Sequence, residues 1–404
     1  MTTQVYITGT LDTKGAEVGY VRDRLLAAGT ESVVVDVGTL GPPSIPPDIG
    51  RERVAEFHPE GSRACLGKPE RGEAVTAMSI ALAGFLTHEH EHGKLGGVLG
   101  LGGSGGTALI TRAMQVLPIG VPKLMVSTVA SGDTRPYVGC CDITMMYSVV
   151  DVCGLNVVSR RILANAAQAM SGMARPVALE VGDRPCLGMT MFGVTTPCVS
   201  RVRELLEQRG YDCLVFHATG TGGRAMEKLV QSGMISGVLD VTTTEVADEI
   251  AGGVFPSGPE RFDTILRSGI PYVVSLGALD MVNFGALPTV PAQYRDRKLH
   301  VHNSNVTLMR TNVEENRRCA RWIADKLNTA HAPLAVLIPE KGVSYLDAAA
   351  QSFYDPEADG ALFSELEACV HQSPDRRIRR LPMHINDPAF SEALVAQFLA
   401  LAQH

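Results

Sequence analysis

Residues 96–114 combine an apolar run, a glycine cluster and a run with helical spacing, which is the order of a strand, a tight turn and a helix. The apolar run 96–101 is followed by Gly102-Gly103-Ser104-Gly105-Gly106-Thr107, and residues 108–114 have helical spacing. Glycine lets backbone N–H groups approach an anion closely, and a helix N-terminus offers unpaired donors and a favourable dipole. The pattern therefore predicts an α/β chain with a phosphate-binding turn. The alternative is a tight crossover that simply needs small residues.

Two common nucleotide motifs do not fit this turn. No lysine follows the glycines, as the Walker pattern requires, and the spacing is not that of the dinucleotide fingerprint. We therefore expect ATP with Mg²⁺ to bind here and NAD not to bind. A Gly103→Val change is expected to abolish binding, either because its side chain fills the phosphate space or because it strains the backbone.

Composition limits the class of protein. The 404 residues suggest two or three domains, and 45% hydrophobic with 20% charged residues argues against disorder. A net charge of −7 without an extended basic patch argues against nucleic acid as a partner. Nine scattered cysteines without a C-x-x-C pair suit a reducing compartment. With no signal peptide and no membrane-spanning stretch expected, the sequence predicts a cytoplasmic protein without a membrane partner.

The chain repeats its pattern from about residue 184 onward. Gly9 corresponds to Gly193, the tripeptide 97–99 to 237–239, and the tripeptide 120–122 to 269–271. Each copy begins with a strand, a helix and a strand, which predicts two α/β subdomains over 1–180 and 181–404. The second copy carries Thr242-Thr243-Thr244-Glu245 in place of the glycine turn. We therefore assign nucleotide binding to the first subdomain and a different ligand, on the substrate side, to the second. The polar residues 51–72 are expected to form an irregular surface segment.

Residues at the ends of parallel strands face the ligand crevice of a doubly wound sheet. By that rule the nucleotide site contains Gly9, Thr10, Asp12, Thr13, Lys14, Asp36, Gly102, Gly103, Ser104, Gly105, Gly106, Thr107, Thr128, Ser131, Gly132 and Asp133. Lys14 would offset phosphate charge, and Asp12 or Asp133 could hold a hydrated Mg²⁺ through water. Asp12 is equally suited to a turn or a helix cap. Asp36 stands where a ribose ligand often stands, although the preceding turn lacks the fingerprint.

Three residues of the second half are candidates for proton transfer. Asp280, His302 and His384 follow or lie in predicted strands, and such groups can act as general acid or base. The alternative is a structural hydrogen-bonding role at the strand ends. The run from His88 to His92 matches H-E-x-x-H formally, but it reads better as a solvated helix end, and no direct metal ligands are predicted.

Several motifs occur together in order along the whole chain. They are Gly-Thr-Leu-Asp-Thr-Lys at 9–14, the glycine turn, His302-Asn303 followed by Val-Thr-Leu-Met-Arg-Thr at 306–311, and His-Ile-Asn-Asp-Pro at 384–388. The chain thereby resembles the N-terminal inhibitor domain of the tomato mosaic virus resistance protein and its uncharacterised bacterial relatives. The resemblance implies two Rossmann-like subdomains with mainly parallel sheets, ATP and Mg²⁺ near the glycine turn, and a homodimer.

These observations favour an ATP-Mg-binding cytosolic protein, with a site in the crevice between the subdomains. It would be an enzyme acting on a small organic acid, by phosphoryl or adenylyl transfer. One alternative is a non-catalytic, nucleotide-gated binding or regulatory protein. Another is a hydrolase or lyase whose glycine turn holds a carboxylate.

Overall fold

The computed structural model describes residues 3–68, 70–175, 182 and 184–403. The chain divides into two compact units, Met1–Glu180 and Val181–His404, called here the N-terminal and the C-terminal unit. Each is built around a parallel sheet with helices on both faces, which confirms the prediction of two Rossmann-like subdomains. The residues at the predicted boundary, 180 and 181, lie outside the described part.

The N-terminal unit contains a five-stranded parallel sheet in the order β2-β1-β3-β4-β5. Its strands are β1 (Gln4–Gly9), β2 (Ser32–Asp36), β3 (Leu95–Gly102), β4 (Lys123–Ser127) and β5 (Thr144–Tyr147). Its helices are α1 (Leu11–Ala27), α2 (Arg51–Ala55), α3 (Arg71–Glu91), α4 (Ser104–Val116), α5 (Arg135–Val138) and α6 (Val157–Met173). The strand order reverses direction between β1 and β3, so their carboxyl ends form the switch point where such folds bind ligands.

Apolar stripes at helical spacing attach the long helices to the sheet. Val18 and Leu25 of α1 share one buried cluster with Leu163 of α6, and Leu82 of α3 shares the opposite cluster with Ile110 of α4. The central strands β1 and β3 are buried on both faces, which explains their continuous apolar runs. This packing fixes where the strand ends, and the turns that follow them, come together.

The C-terminal unit repeats the plan with a six-stranded parallel sheet in the order β14-β13-β9-β8-β6-β7. Its sheet strands are β6 (Cys186–Met191), β7 (Asp212–His217), β8 (Gly237–Thr242), β9 (Tyr272–Gly277), β13 (Leu334–Pro339) and β14 (Arg376–Leu381). A second, antiparallel sheet is made of β10 (Met281–Phe284), β11 (Leu299–Asn303) and β12 (Val306–Arg310), in the order β10-β12-β11. The helices are α7 (Thr196–Glu207), α8 (Thr221–Gln231), α9 (Thr244–Ala251), α10 (Asp263–Ser268), α11 (Val313–Leu327), α12 (Pro356–Cys369) and α13 (Pro388–Leu401).

The segment 51–72 differs from the irregular surface segment that its polarity predicted. It begins with helix α2, and Arg51 at its start is only 7% exposed. The reason is an ion pair, because the Nε of Arg51 donates to the Oδ2 of Asp36 at 2.7 Å. A paired arginine can be buried, and polarity alone does not reveal the pairing.

Candidate functional site

A cleft of about 220 Å³ lies at the carboxyl ends of β1 and β3 in the N-terminal unit. Nine of the predicted site residues line it, namely Thr10, Asp12, Thr13, Lys14, Gly102, Gly103, Ser104, Gly105 and Gly106. The remaining wall comes from Val37, Thr39 and Leu40 after β2, from Arg71 and Val75 of α3, and from Leu109 of α4. The cleft therefore stands at the topological switch point of the sheet.

The N-terminus of α4 opens into this cleft without a side-chain cap. Gly103 is the N-cap residue. The first helical hydrogen bond runs from the N–H of Thr107 to the carbonyl oxygen of Gly103 at 2.8 Å. The N–H groups of Ser104, Gly105 and Gly106 precede that bond and have no intrahelical acceptor. Three adjacent donors at the positive end of a helix dipole suit a phosphate or a carboxylate.

The glycines of the turn serve two different purposes. A Cβ on Gly102 would lie 2.9 Å from backbone atoms of Gly106, so this position must be glycine for the turn to close. A Cβ on Gly103 would meet only the Oγ1 of Thr128, at 3.9 Å, and one on Gly105 would meet nothing within 4 Å. The backbone at Gly103 is extended, with φ −76°, a conformation that valine adopts readily. The expectation that a valine there would strain the backbone is therefore wrong. Gly103 and Gly105 leave open space in the cleft.

Helix α1 also points at the cleft, but its N-terminus is already occupied. The Oδ1 of Asp36 accepts the N–H of Leu11 at 3.0 Å and the N–H of Gly38 at 2.9 Å, while its Oδ2 accepts from Arg51. Asp36 is 1% exposed and does not line the cleft. Its carboxylate fills a helix N-terminus from within the protein, which leaves α4 as the open anion site.

The charged groups of the cleft are Asp12, Lys14 and Arg71. Neither Lys14 nor Arg71 has an ion pair among the described residues, so both cations can meet an anion in the cleft. Asp12 accepts the N–H of Gly41 with its Oδ2 at 3.2 Å, and its buried Oδ1 has no partner in the described part of the chain. A carboxylate oxygen left free in this way can accept a hydrogen bond from a water of a hydrated Mg²⁺.

The other predicted residues of the first half lie outside the cleft lining. Thr107 is buried and shares a hydrogen bond with Ser127 at 2.6 Å. Asp133 is exposed, and hydrogen bonds from Arg135 hold the pKa of its carboxyl below the usual range. The rest of this group, Gly9, Thr128, Ser131 and Gly132, also line no part of the cleft.

The turn equivalent to the glycine turn is closed in the C-terminal unit. Thr242, Thr243, Thr244 and Glu245 are all buried, and the Oγ1 of Thr242 lies 2.7 Å from that of Thr195. The Oε1 of Glu245 accepts the N–H groups of Gly220 and Gly223 at the start of α8. The carboxylate of Glu245 thus occupies the N-terminus of α8, the position that a bound anion would otherwise take. The second subdomain was expected to bind a separate ligand at this turn. The side chains of Thr242, Thr243 and Glu245 are hydrogen-bonded within the unit, whereas the buried Oγ1 of Thr244 has no partner in the described part of the chain.

The structure brings two of the three proton-transfer candidates together. The Oδ2 of Asp280 accepts the Oγ–H of Ser344 at 2.7 Å, and the Nε2 of His384 lies 2.9 Å from the carbonyl oxygen of the same serine. Because the Nδ1 of His384 accepts the N–H of Asn386, its proton sits on Nε2 and both ring nitrogens are used. Burial raises the pKa of Asp280 to about 6. His302 lies apart from this arrangement, exposed on the edge strand β11.

Two further features bear on metals and membranes. The described residues contain no group of three or more His, Cys, Asp and Glu side chains arranged to hold a metal ion. In the H-E-x-x-H run, the Oε2 of Glu89 accepts the hydroxyl of Tyr6 at 2.6 Å, and the ring of His88 stacks near that of His92. Within the described ranges, no helix combines the length and hydropathy needed to cross a bilayer.

Sequence reasoning missed the residues of the cleft that come from α3 and from the loop after β2. Arg71 and Val75 come from the first turn of α3, and Leu40 comes from the loop after β2 and is 65% exposed. No motif marks these residues. An arginine at the start of a long helix is only a weak signal, because the sequence does not show whether it is paired.

Comparisons with known proteins cover the full chain. A family model described as "Uncharacterised protein family (UPF0261) N-terminal domain" matches residues 3–178, and its C-terminal counterpart matches residues 184–402. A UPF0261 protein of Rhizobium meliloti is 54% identical over 399 residues, 99% of each chain. The ToMV resistance protein Tm-1 of Solanum lycopersicum is 51% identical over 339 residues, 82% of this chain and 45% of the tomato protein. Among solved structures, a Streptomyces glycosyltransferase aligns over 67% of this chain and 81% of its own at 14% identity, with a TM-score of 0.19 that supports no argument.

Proposed function

The chain belongs to the uncharacterised family UPF0261, and from the cleft of its N-terminal unit we propose that it binds ATP with Mg²⁺. One observation carries the proposal. The uncapped N-terminus of α4 opens into a cleft at the switch point of the sheet, while the neighbouring N-terminus of α1 is closed by Asp36. The site thus offers an anion cradle that no side chain of the described residues fills.

The residues of the cleft suit the groups of the proposed ligand. The N–H groups of residues 104–106 would hold phosphate oxygens, and Lys14 and Arg71 would balance their charge. The free Oδ1 of Asp12 would accept a hydrogen bond from a water on Mg²⁺. When bound, ATP supplies a phosphoryl or adenylyl group, and in the proposed enzyme a small organic acid would receive it. The homodimer implied by the sequence resemblance stays a prediction.

A second candidate function is a nucleotide-gated binding protein without turnover. It is favoured by the surroundings of two of the three predicted proton-transfer groups. Both ring nitrogens of His384 bond to backbone atoms, and Asp280 is fully buried. In addition, no histidine lines the described cleft. Nucleotide binding is common to both candidates, so it is the step to test first.

The proposal is tested by calorimetric titration of the full chain with ATP-Mg and, separately, with NAD. We expect ATP-Mg to bind and NAD not to bind. Lys14→Gln should weaken ATP binding about tenfold, roughly 1.4 kcal/mol, because it removes an unpaired cation from the cleft. Lys341→Gln, which removes an exposed lysine from the C-terminal unit, is the matched control and should leave the affinity unchanged.

Two results would contradict the proposal. One is tighter binding of NAD than of ATP. The other is an equal ATP affinity for Lys14→Gln and Lys341→Gln, which would place the phosphates outside the cleft. Binding of a carboxylate at the α4 cradle with no ATP affinity would instead favour the hydrolase or lyase alternative.

A further inference from the structure

A second concave surface runs beside the nucleotide cleft, between α3 and α4. It has a volume of about 360 Å³ and shares Val75 and Leu109 with the cleft, so the two lie side by side. We call it the α3–α4 groove. The two volumes together are in the range of small-molecule sites rather than of protein interfaces.

The far end of the groove is closed by helix α5, which hydrogen bonds hold against α4. Pro136 and Tyr137 of α5 close it, and the Nε2 of Gln115 on α4 donates to the carbonyl oxygens of both residues, at 3.1 and 2.8 Å. The Sγ of Cys141 in turn donates to the carbonyl oxygen of Gln115 at 3.3 Å. These bonds hold α5 against α4, so the groove is a fixed feature of the unit.

The charge that lines the α3–α4 groove is positive and comes from Arg112. Arg112 is the only ionisable group besides Tyr137 among its lining residues, and no carboxylate of the described chain lines it. The guanidinium of Arg112 is exposed and has no ion pair or hydrogen bond within the described residues. The walls around it are largely apolar, with Val75, Leu109 and Pro136 among them. An unpaired guanidinium above apolar walls suits a ligand with a hydrocarbon body and a carboxylate.

Helix geometry sets the length of that ligand. Ala108, Thr111, Arg112 and Gln115 form one stripe of α4 at helical spacing along the groove. Arg112 follows Ser104, the first residue of the cradle, by eight positions, which is about 12 Å along the helix. A molecule bound to both would have to be extended over that distance.

We propose that the α3–α4 groove binds the organic-acid substrate of this protein, an elongated carboxylic acid. Its carboxylate pairs with Arg112 and its hydrocarbon body lies between α3 and α4. Its other end carries a second polar group, which accepts the transferred group and faces the phosphates held at the α4 cradle. The role as substrate rests on the proposed nucleotide function, whereas the binding of a carboxylate at Arg112 is a property of the groove alone.

The test is calorimetric titration of the full chain with octanoate as the probe, compared with butyrate and octylamine. Octanoate should bind at least about tenfold more tightly than butyrate, because more of its chain contacts the apolar walls. Octylamine should bind no better than butyrate, because Arg112 repels its ammonium group. Arg112→Gln should weaken octanoate binding about tenfold, and Arg112→Lys should recover part of the loss. Arg161→Gln, an exposed arginine on α6, is the matched control.

The outcomes separate this inference from the nucleotide proposal. Equal octanoate affinity for Arg112→Gln and Arg161→Gln, or equal binding of octanoate and octylamine, would overturn the inference. ATP-Mg is titrated into the same samples. Binding of ATP without any Arg112-dependent binding of octanoate would overturn the inference and leave the nucleotide proposal intact. Arg112-dependent binding of octanoate without ATP binding would support the groove and overturn the nucleotide proposal.

Discussion

Substitutions at two neighbouring glycines of the α4 turn are expected to have different effects, one on ATP binding and the other on stability. Gly103→Val should stay folded, because its Cβ would meet no protein atom closer than 3.9 Å and φ is −76°. Its side chain would instead take up space in the cleft and lower the ATP affinity by more than about tenfold, roughly 1.4 kcal/mol. Gly102→Ala should destabilise the N-terminal unit, because its Cβ would overlap the backbone of Gly106. Calorimetric titration and thermal unfolding measure the two effects.

Gly193→Val is the control for this pair. Gly193 follows β6 in the C-terminal unit, as the glycine turn follows β3 in the N-terminal unit. A Cβ on Gly193 would meet nothing within 4 Å. This variant should stay folded and keep its ATP affinity. Normal nucleotide binding by folded Gly103→Val would mean that the α4 turn does not hold the phosphates.

At the scale of elements, the sequence predicted those helices, strands and turns that depend on a single segment of the chain. The apolar run 96–101, the glycines after it and the helical spacing of 108–114 predicted β3, the turn and α4, because each depends on local propensity and on burial within one element. The repeat predicted the second sheet for the same reason. The hairpin of β11 and β12 was not predicted, because only Ser304 and Asn305 separate its strands and they give a weak turn signal.

Features that depend on pairing between distant elements could not be predicted in this way. Asp36 stands where a ribose ligand often stands, but its carboxylate is used by Leu11, Gly38 and Arg51. The α3–α4 groove likewise exists only where two helices pack, and neither helix carries a motif for it. Which residues of a site remain free is decided by these tertiary contacts.

Arg261 joins three elements of the C-terminal unit through buried ion pairs. Its guanidinium contacts Glu227 of α8 at 3.1 Å, Asp240 of β8 at 2.8 Å and Glu245 of α9 at 3.0 Å. We expect Arg261→Met to destabilise this unit by about 3–5 kcal/mol, because it leaves three buried carboxylates without their cation. Urea unfolding followed by the fluorescence of Trp322, whose ring lies 5.7 Å from that of Phe262, reports on this unit.

Two variants control the Arg261 experiment. Arg261→Lys should also be destabilised, because one ammonium group cannot replace the three separate contacts of the guanidinium. Arg295→Met removes an exposed arginine of the same unit and should change the free energy of unfolding by less than about 0.5 kcal/mol. A loss for Arg261→Met as small as that for Arg295→Met would mean that the network does not stabilise the unit.

Over the whole molecule, the two units share a sheet plan but fill their anion positions differently. In the N-terminal unit Asp36 closes α1 and leaves α4 open, whereas in the C-terminal unit Glu245 closes α8 and the turn before α9 is buried. Each unit thus places one carboxylate of its own at a helix N-terminus, whereas the open N-terminus of α4 belongs to the N-terminal unit. Three other buried carboxyl groups of the C-terminal unit, those of Asp248, Asp280 and Asp347, are expected to make its stability depend on pH.

Burial raises the pKa of Asp248 to about 7, with a smaller contribution from the charge of Glu245. In the unfolded chain this carboxyl loses its proton near its ordinary value of 3.8. Between those two pH values the folded state holds a proton that the unfolded state has lost, so the free energy of unfolding falls as pH rises through this window. Asp280 and Asp347, whose pKa values burial raises to about 6 and about 9, act in the same direction.

The contribution of Asp248 is isolated by comparing wild type with Asp248→Asn in urea, using Trp322 fluorescence at about pH 5 and about pH 8. From the lower to the higher pH, wild type should lose about 2–3 kcal/mol more than the variant, because the asparagine cannot titrate. Asp296→Asn, which removes an exposed carboxylate of the same unit, should follow the wild type. An identical pH dependence for wild type and Asp248→Asn would show that Asp248 is already ionised at the lower pH. Its three hydrogen bonds from the N–H of Phe255 and the backbone and side-chain N–H groups of Asn283 would then outweigh the cost of its burial.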